Sequence, residues 1–262
     1  MVWLGICMLI ILWVVSFFVV LYGLSGRNGT LFLSSGAGDI TKKMNILLVI
    51  AHPDDESMFF IPTIIKLTSA GHNLHILCIS TGDADGKGSV RSEELYCACT
   101  VLKVPIQNVK IINHASLQDG FNRTWRHTLL ATIIGEEAKS WDVDVLITFD
   151  NYGVSGHPNH CAVHRGIRLL LRDSMWANTL AWELVSTNIV RKYCGPVDIW
   201  CSMLHSLLHQ KGQVHCIVNA HPTVSINAMA QHKSQWVWFR KLFVLLSSYS
   251  YVNSLRELRR TP

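Results

Sequence analysis

Two clusters of metal-type ligands, each directly after an apolar run, constrain this chain more than any other feature. Ala51-His52-Pro53-Asp54-Asp55-Glu56 follows the run Asn45 to Ile50, and His157-Pro158-Asn159-His160 follows Val143 to Phe149. Short apolar runs of this kind read as buried strands. Open α/β sheets process ligands in the crevice at the carboxyl ends of their strands, so the two clusters are expected to share one site. Hard carboxylate oxygens with imidazole nitrogens suit a zinc-type divalent ion that keeps a position open for water. A helix N-cap with a buried ion pair is the plainer reading. It serves Glu56, whose carboxylate suits a helix start, but leaves the pairing of the two clusters unexplained.

The rest of the chain alternates in the same rhythm. Asn45 to Ala51, Leu74 to Thr81, Val109 to Ile112, Val143 to Phe149, Leu180 to Ser186 and Val214 to Val218 read as strands. Ser57 to Ala70, Val90 to Leu102, Trp125 to Ser140 and Pro158 to Arg172 read as helices, with Gly71 as a C-cap. Such alternation predicts an α/β domain with a Rossmann-like, mainly parallel sheet flanked by helices. Gly82 to Gly88 is a long polar turn without the glycine order of a phosphate cradle or the terminal glutamate of a calcium loop. It reads as an active-site loop or an ordinary solvated one.

Met1 to Gly26 contains no charged side chain, and Trp3 to Tyr22 is almost wholly apolar. About 20 such residues span the ~30 Å hydrocarbon core of a bilayer. The stretch outruns a signal-peptide core and lacks its charged start. It predicts an N-terminal transmembrane helix over 1–26, a Gly- and Ser-rich linker over 27–42 and one domain over 43–262. Arg27, Lys42 and Lys43 follow the span while no cation precedes it, which places the domain in the cytoplasm. There the sequons at Asn28 and Asn122 would stay bare, and the eight cysteines, without disulfide spacing, would be free thiols. The net charge of +5 carries no basic run interleaved with aromatics. That suits an anionic membrane surface or a phosphate-bearing substrate and argues against nucleic acid. Near 236–250 an apolar run broken by Arg240-Lys241 reads either as an amphipathic helix on the membrane or as a terminal helix packed on the core.

His52-Pro53-Asp54-Asp55-Glu56, Arg91-x-x-Glu94, His157-Pro158-Asn159-His160 and Ala228-Met229-x-x-His232-x-Ser234-Gln235 together resemble the PIG-L/LmbE-like zinc-dependent de-N-acetylases. The likeness runs from about Lys43 to about Leu255. Phe149-Asp150, Val154-Ser155-Gly156-His157, Val190-Arg191-Lys192-Tyr193 and Trp238-Phe239-Arg240 point to the branch that serves glycosylphosphatidylinositol anchor synthesis. The resemblance implies hydrolysis of the acetamide of N-acetylglucosamine linked to phosphatidylinositol, at the endoplasmic reticulum membrane. It implies Zn²⁺, or another divalent metal, held by His52, Asp55 and His160. Asp54 would move the proton and His157 would stabilise the oxyanion; Arg91, and more weakly Asp119, would bind substrate.

Two departures bear on His157. Many relatives carry Asp where this chain has Asn159, and some carry Tyr where it has Ser155. Asp150 and Tyr152 are the candidate substitutes. His164 reads as packed beside the site, and His232 is left without a role. The competing readings are a membrane-tethered scaffold with a metal site kept for folding, a carbohydrate-binding module of the same fold, and a deacetylase of another amino-sugar conjugate. Three protein ligands beside a free carboxylate favour catalysis over a closed structural site.

Overall fold

The computed structural model describes residues 2–19, 43–120, 123–208 and 214–259. The expected linker, most of its cationic flank and both sequon asparagines lie outside the described residues. Seven strands form one sheet in the order β3-β2-β1-β4-β5-β7-β6. These are β1 (Asn45–Ile50), β2 (Asn73–Cys78), β3 (Val109–Ile111), β4 (Val145–Phe149), β5 (Leu180–Leu184), β6 (Val214–Val218) and β7 (Val252–Glu257). The pairings from β3 through β5 are parallel, whereas β7 runs antiparallel to both β5 and β6. Parallel central strands are covered on both faces, and β4 is accordingly buried along its whole length.

The helices are α1 (Val2–Phe18), α2 (Asp55–Phe59), α3 (Ile61–Ser69), α4 (Gly88–Val101), α5 (His127–Ser140), the short turn α6 (Gly153–Gly156) and α7 (Pro158–Leu170). Then follow α8 (Ile189–Lys192), α9 (Asp198–Leu208), α10 (Pro222–Met229) and α11 (Trp238–Leu246). Helices α5 and α7 pack closely because Gly166 meets Leu130. A Cβ at Gly166 would lie 2.7 Å from that of Leu130.

The order of strands reverses direction between β1 and β4, where Leu48 pairs with Ile147. This is the topological switch at which open α/β sheets place their ligands. Both ligand clusters sit there, His52 to Glu56 directly past the end of β1 and His157 to His160 past the α6 turn that follows β4.

Two expectations need adjustment. The C-terminal stretch is not one helix over 236–250, since α11 ends at Leu246 and Ser248–Ser250 form a 3₁₀ turn leading into β7. At the other end, α1 has 17 residues and residues 20–26 are not described, so the span over 1–26 is seen only in part. No helix among the described residues is long and apolar enough to cross a membrane. Helix α1 also lies on the domain. Trp13 and Phe17 stack at 5.6 Å, both meet Tyr251 edge-on, and Trp200 Nε1 donates to Ser16 Oγ at 2.9 Å.

Candidate active site

The first cluster is a tight turn between β1 and α2. Asp54 sits at φ 125°, a conformation that L-residues rarely adopt and that costs about 1–3 kcal/mol. Two interactions impose it: the Asp54 N–H donates to Glu56 Oε2 at 3.1 Å, and Arg91 Nη2 donates to the Pro53 carbonyl at 2.8 Å. Glu56 is held in turn by Ser57 Oγ and by His232 Nε2, both at 2.6 Å, with Glu56 and His232 fully buried. That pairing gives His232 its place in the fold. Asp55 Oδ2 accepts the N–H groups of Ala51 and His52 at 3.0 and 2.8 Å, which leaves Oδ1 facing His160.

The second cluster hangs from a turn under comparable strain. Gly153, Val154 and Gly156 all have positive φ, and a Cβ at Gly153 would lie 2.8 Å from that of His160. Asp150 braces the turn, accepting from the N–H groups of Tyr152, Gly153 and Ser186 and from Ser186 Oγ. Lys192 Nζ donates to the Val154 carbonyl at 2.7 Å and to Ser155 Oγ at 3.0 Å. His157 is the N-cap of α7, its Nδ1 accepting the Asn159 N–H at 3.3 Å, with Pro158 the first helical residue. His164 is packed under the strand end, 3.1 Å from the Phe149 carbonyl and 3.3 Å from Glu183.

All seven candidate residues meet. The imidazoles of His52, His157 and His160 present ring nitrogens within 4.8 Å of one another. Asp55 lies 3.2 Å from His160 Nε2 and 3.7 Å from His52 Nδ1. Asp119 Oδ1 is 3.0 Å from His52 Nε2, and Arg91 reaches Asp54 at 3.3 Å and Asp119 at 3.5 Å. Arg91 does not pair with Glu94, which instead accepts from the N–H and hydroxyl of Ser234.

The donor set fits a divalent ion. His160 Nδ1 lies 3.1 Å from the Gly153 carbonyl, to which it donates, and this turns Nε2 inward. His160 Nε2 is buried and has no hydrogen-bond partner, although Asp55 Oδ1 is close by. A buried imidazole nitrogen 3.2 Å from a carboxylate oxygen is an arrangement that a cation between them satisfies, whether a proton or a metal ion. The charges agree. Burial opposes an ionised Asp55, but His160 and His52 outweigh it and hold the carboxyl below its usual range. For His52 burial is outweighed by Asp119 and Asp55, which raise it, so a metal competes there with a proton.

His157, which the resemblance assigns to the oxyanion, is held neutral. Burial, with His160 and His52 beside it, pushes it down to about 4. Since Nδ1 accepts, the neutral ring carries its proton on Nε2 and can still donate a hydrogen bond. No carboxylate is needed at 159 for that. Asp150 spends its oxygens on the turn, and Tyr152 is 71% exposed, so neither fills the role proposed for it.

A probable N-acetylglucosaminyl-phosphatidylinositol de-N-acetylase of Dictyostelium discoideum is 35% identical over 243 residues, covering 83% of this chain and 94% of the relative. The chain belongs to the PIG-L family. The family's sequence model, GlcNAc-PI de-N-acetylase, matches residues 47–171, which contain both clusters. A PIG-L relative from Bos taurus, N-acetylglucosaminyl-phosphatidylinositol de-N-acetylase, is 36% identical over 81% of this chain and 83% of its own length. Among solved structures, the N,N'-diacetylchitobiose deacetylase of Pyrococcus horikoshii aligns with a TM-score of 0.59 at 14% identity, covering 92% of this chain and 91% of that one, which establishes the shared fold.

Two residues of this PIG-L site stand in motifs the sequence displays, but their contacts there are visible only in the fold. Asn159 Nδ2 lies 3.0 Å from His52 Nε2. Arg240 Nη1 is in close contact with Asp54 Oδ2, the same oxygen that Arg91 reaches.

Proposed function

We infer that this chain hydrolyses the acetamide of N-acetylglucosaminyl-phosphatidylinositol, releasing acetate and glucosaminyl-phosphatidylinositol. The observation that carries this reading is the convergence of His52, Asp55 and His160 with the separate carboxylate of Asp54 at the sheet's switch point. His52, Asp55 and His160 would hold zinc. When bound, that ion supplies Lewis acidity and lowers the pKa of the attacking water. Asp54 takes the proton as the water oxygen adds to the acetyl carbon, then returns it to the sugar nitrogen as the C–N bond breaks. His157 donates from Nε2 to the developing oxyanion. Arg91, tied to two backbone carbonyls and two carboxylates, holds Asp54 and Asp119 in register.

The membrane part of the reading rests on residues 1–26 and on exposed apolar side chains of α8, α9 and α11. Leu204, Leu207 and Leu208 on α9, Val190 on α8, and Trp238 and Phe239 on α11 are all exposed. Large contiguous apolar surface marks a partner or membrane face. We propose a single N-terminal anchor at the endoplasmic reticulum, with the domain on the cytoplasmic side and α11 on the lipid surface. Confinement to the bilayer that holds a diacyl substrate raises the effective concentration of each for the other. Zinc-loaded full-length protein, given this glycolipid in vesicles, should release acetate, and a chelator should stop it. No release from metal-replete protein would refute the hydrolase.

A further inference from the structure

Arg240 belongs to two surfaces at once. Its guanidinium lies against Asp54 inside the site, while its helix turns Trp238, Phe239 and Leu242 outward. The other guanidinium at Asp54 is closed off. Arg91 is 7% exposed and donates to the Gly82 and Pro53 carbonyls at 2.8 Å each. Arg240 instead keeps 22% of its side chain open. Tryptophan favours the headgroup level of a bilayer, so Trp238 sets the depth of α11 if the helix rests on lipid. Phosphates lie at that same depth.

We propose that Arg240 is a specificity-determining residue that reads the phosphodiester of the substrate, a role that rests on the de-N-acetylase reading above. A planar guanidinium fork takes two phosphate oxygens at once, a geometry that a carboxylate oxygen already shared with Arg91 does not offer it. On substrate binding Arg240 passes from Asp54 Oδ2 to the phosphodiester, and that oxygen becomes available to the water proton. Recognition of the phosphate and release of Asp54 are then a single event, and a sugar lacking the phosphate leaves the pair in place.

The test uses zinc-loaded full-length protein and two water-soluble substrates, N-acetylglucosaminyl-inositol with and without a methyl phosphodiester on the inositol. Wild type is expected to prefer the phosphodiester in kcat/KM. Arg240→Gln should cut that preference by roughly 10- to 100-fold, the range for a lost hydrogen bond to a charged group, in kcat as well as in KM because the phosphodiester both binds and frees Asp54. Arg240→Lys, a cation without the fork, should retain part of it. As a second reading, inositol methyl phosphodiester should inhibit turnover of the vesicle-borne glycolipid in wild type better than plain inositol, and lose that advantage in Arg240→Gln. Equal losses on both soluble substrates would make Arg240 a mere support of Asp54 and overturn the proposal. So would a wild-type enzyme indifferent to the phosphodiester, or a loss seen only when anionic vesicles are present, since Arg240 would then serve the surrounding lipid. Wild-type protein inactive on both compounds and on the glycolipid would refute the hydrolase itself, and this proposal with it.

Discussion

The parallel half of the sheet and its antiparallel edge are built on opposite principles. Past the ends of β1 and β4 the protein buries charge: His52, Asp54, Asp55, Glu56, Arg91 and His160 are all nearly inaccessible. Around β7 and β6, the helices α1, α8, α9 and α11 expose large apolar side chains, with Leu207 79% exposed. Both arrangements cost free energy in water, and neither is explained by folding alone. Buried polar groups on strained turns mark where chemistry is done, and exposed apolar surface marks where a partner or membrane is met. Arg240 joins the two halves, because it stands on α11 and reaches Asp54.

The largest effect expected separates two adjacent residues within the chemical half. Asp55 faces His160 and His52, so Asp55→Ala should lose zinc and activity together. Asp54→Asn should keep the metal while acetate release falls by roughly 10²- to 10⁴-fold, the range for lost acid-base catalysis. Metal content measured beside turnover decides it. If Asp54→Asn loses zinc while Asp55→Ala keeps it, the assignment of the pair is reversed.

A second experiment asks whether buried charge also holds the chemical half together. Glu56→Ala strands His232 in the core, and breaking a buried pair costs about 3–5 kcal/mol. Arg256→Ala removes the partner of Glu183 at the antiparallel edge, where the arginine is 46% exposed. Glu183 is itself buried, so this loss should exceed the ~0–1 kcal/mol of a fully exposed pair, yet stay below that of Glu56, whose partner is buried as well. Chemical denaturation of both variants reads the difference, and equal costs would erase the contrast between the halves.

The apolar half has its own test. Replacing Leu207 and Leu208 together by Ser should weaken partition onto vesicles by roughly tenfold, from the apolar area withdrawn from lipid. Turnover of a water-soluble substrate should be unaffected, since neither leucine approaches the site. Unchanged partition would remove α9 from the membrane face.

What the sequence disclosed follows the same division. The central strands and both ligand turns are written in short contiguous runs, because a parallel strand buried on both faces must be apolar throughout and a metal turn gathers its ligands locally. Strand β7 escaped notice, since Val252–Glu257 mixes polar and apolar residues. Asn253 is buried there only because it bonds Thr63 on α3 and the Phe59 carbonyl. Helix α9 was missed as well. Asn159 shows its contact with His52 only in three dimensions, and nothing around Arg240 in the sequence points to Asp54. The polar turn after β2 proved legible as a turn: Gly82 and Gly86 are both left-handed, and Asp83 caps the following helix through the Gly88 N–H.

The last contrast is in the pH dependence of stability, where two histidines carry opposite signs. Burial opposes a charged His232, but Glu56 outweighs it and raises the imidazole above its ordinary 6.5. Its contribution is fully present below pH 6.5 and is lost as the pH rises through that higher value. His157 is pushed down to about 4 by burial and by the neighbouring imidazoles. In that case the unfolded chain binds the extra proton, so stability is present above pH 6.5 and declines as the pH falls towards 4. Thermal unfolding of metal-free protein across this range reads both limbs, without a bound ion holding the imidazoles neutral. His157→Gln should reduce the acid limb and leave the alkaline limb, and His232→Gln should reduce the alkaline limb, which the raised His52 shares, and leave the acid one. An alkaline limb that persists unchanged in His232→Gln would show that the buried pair with Glu56 does not depend on the charge of the imidazole. Glu56 would then hold the strained Asp54 turn through hydrogen bonds alone.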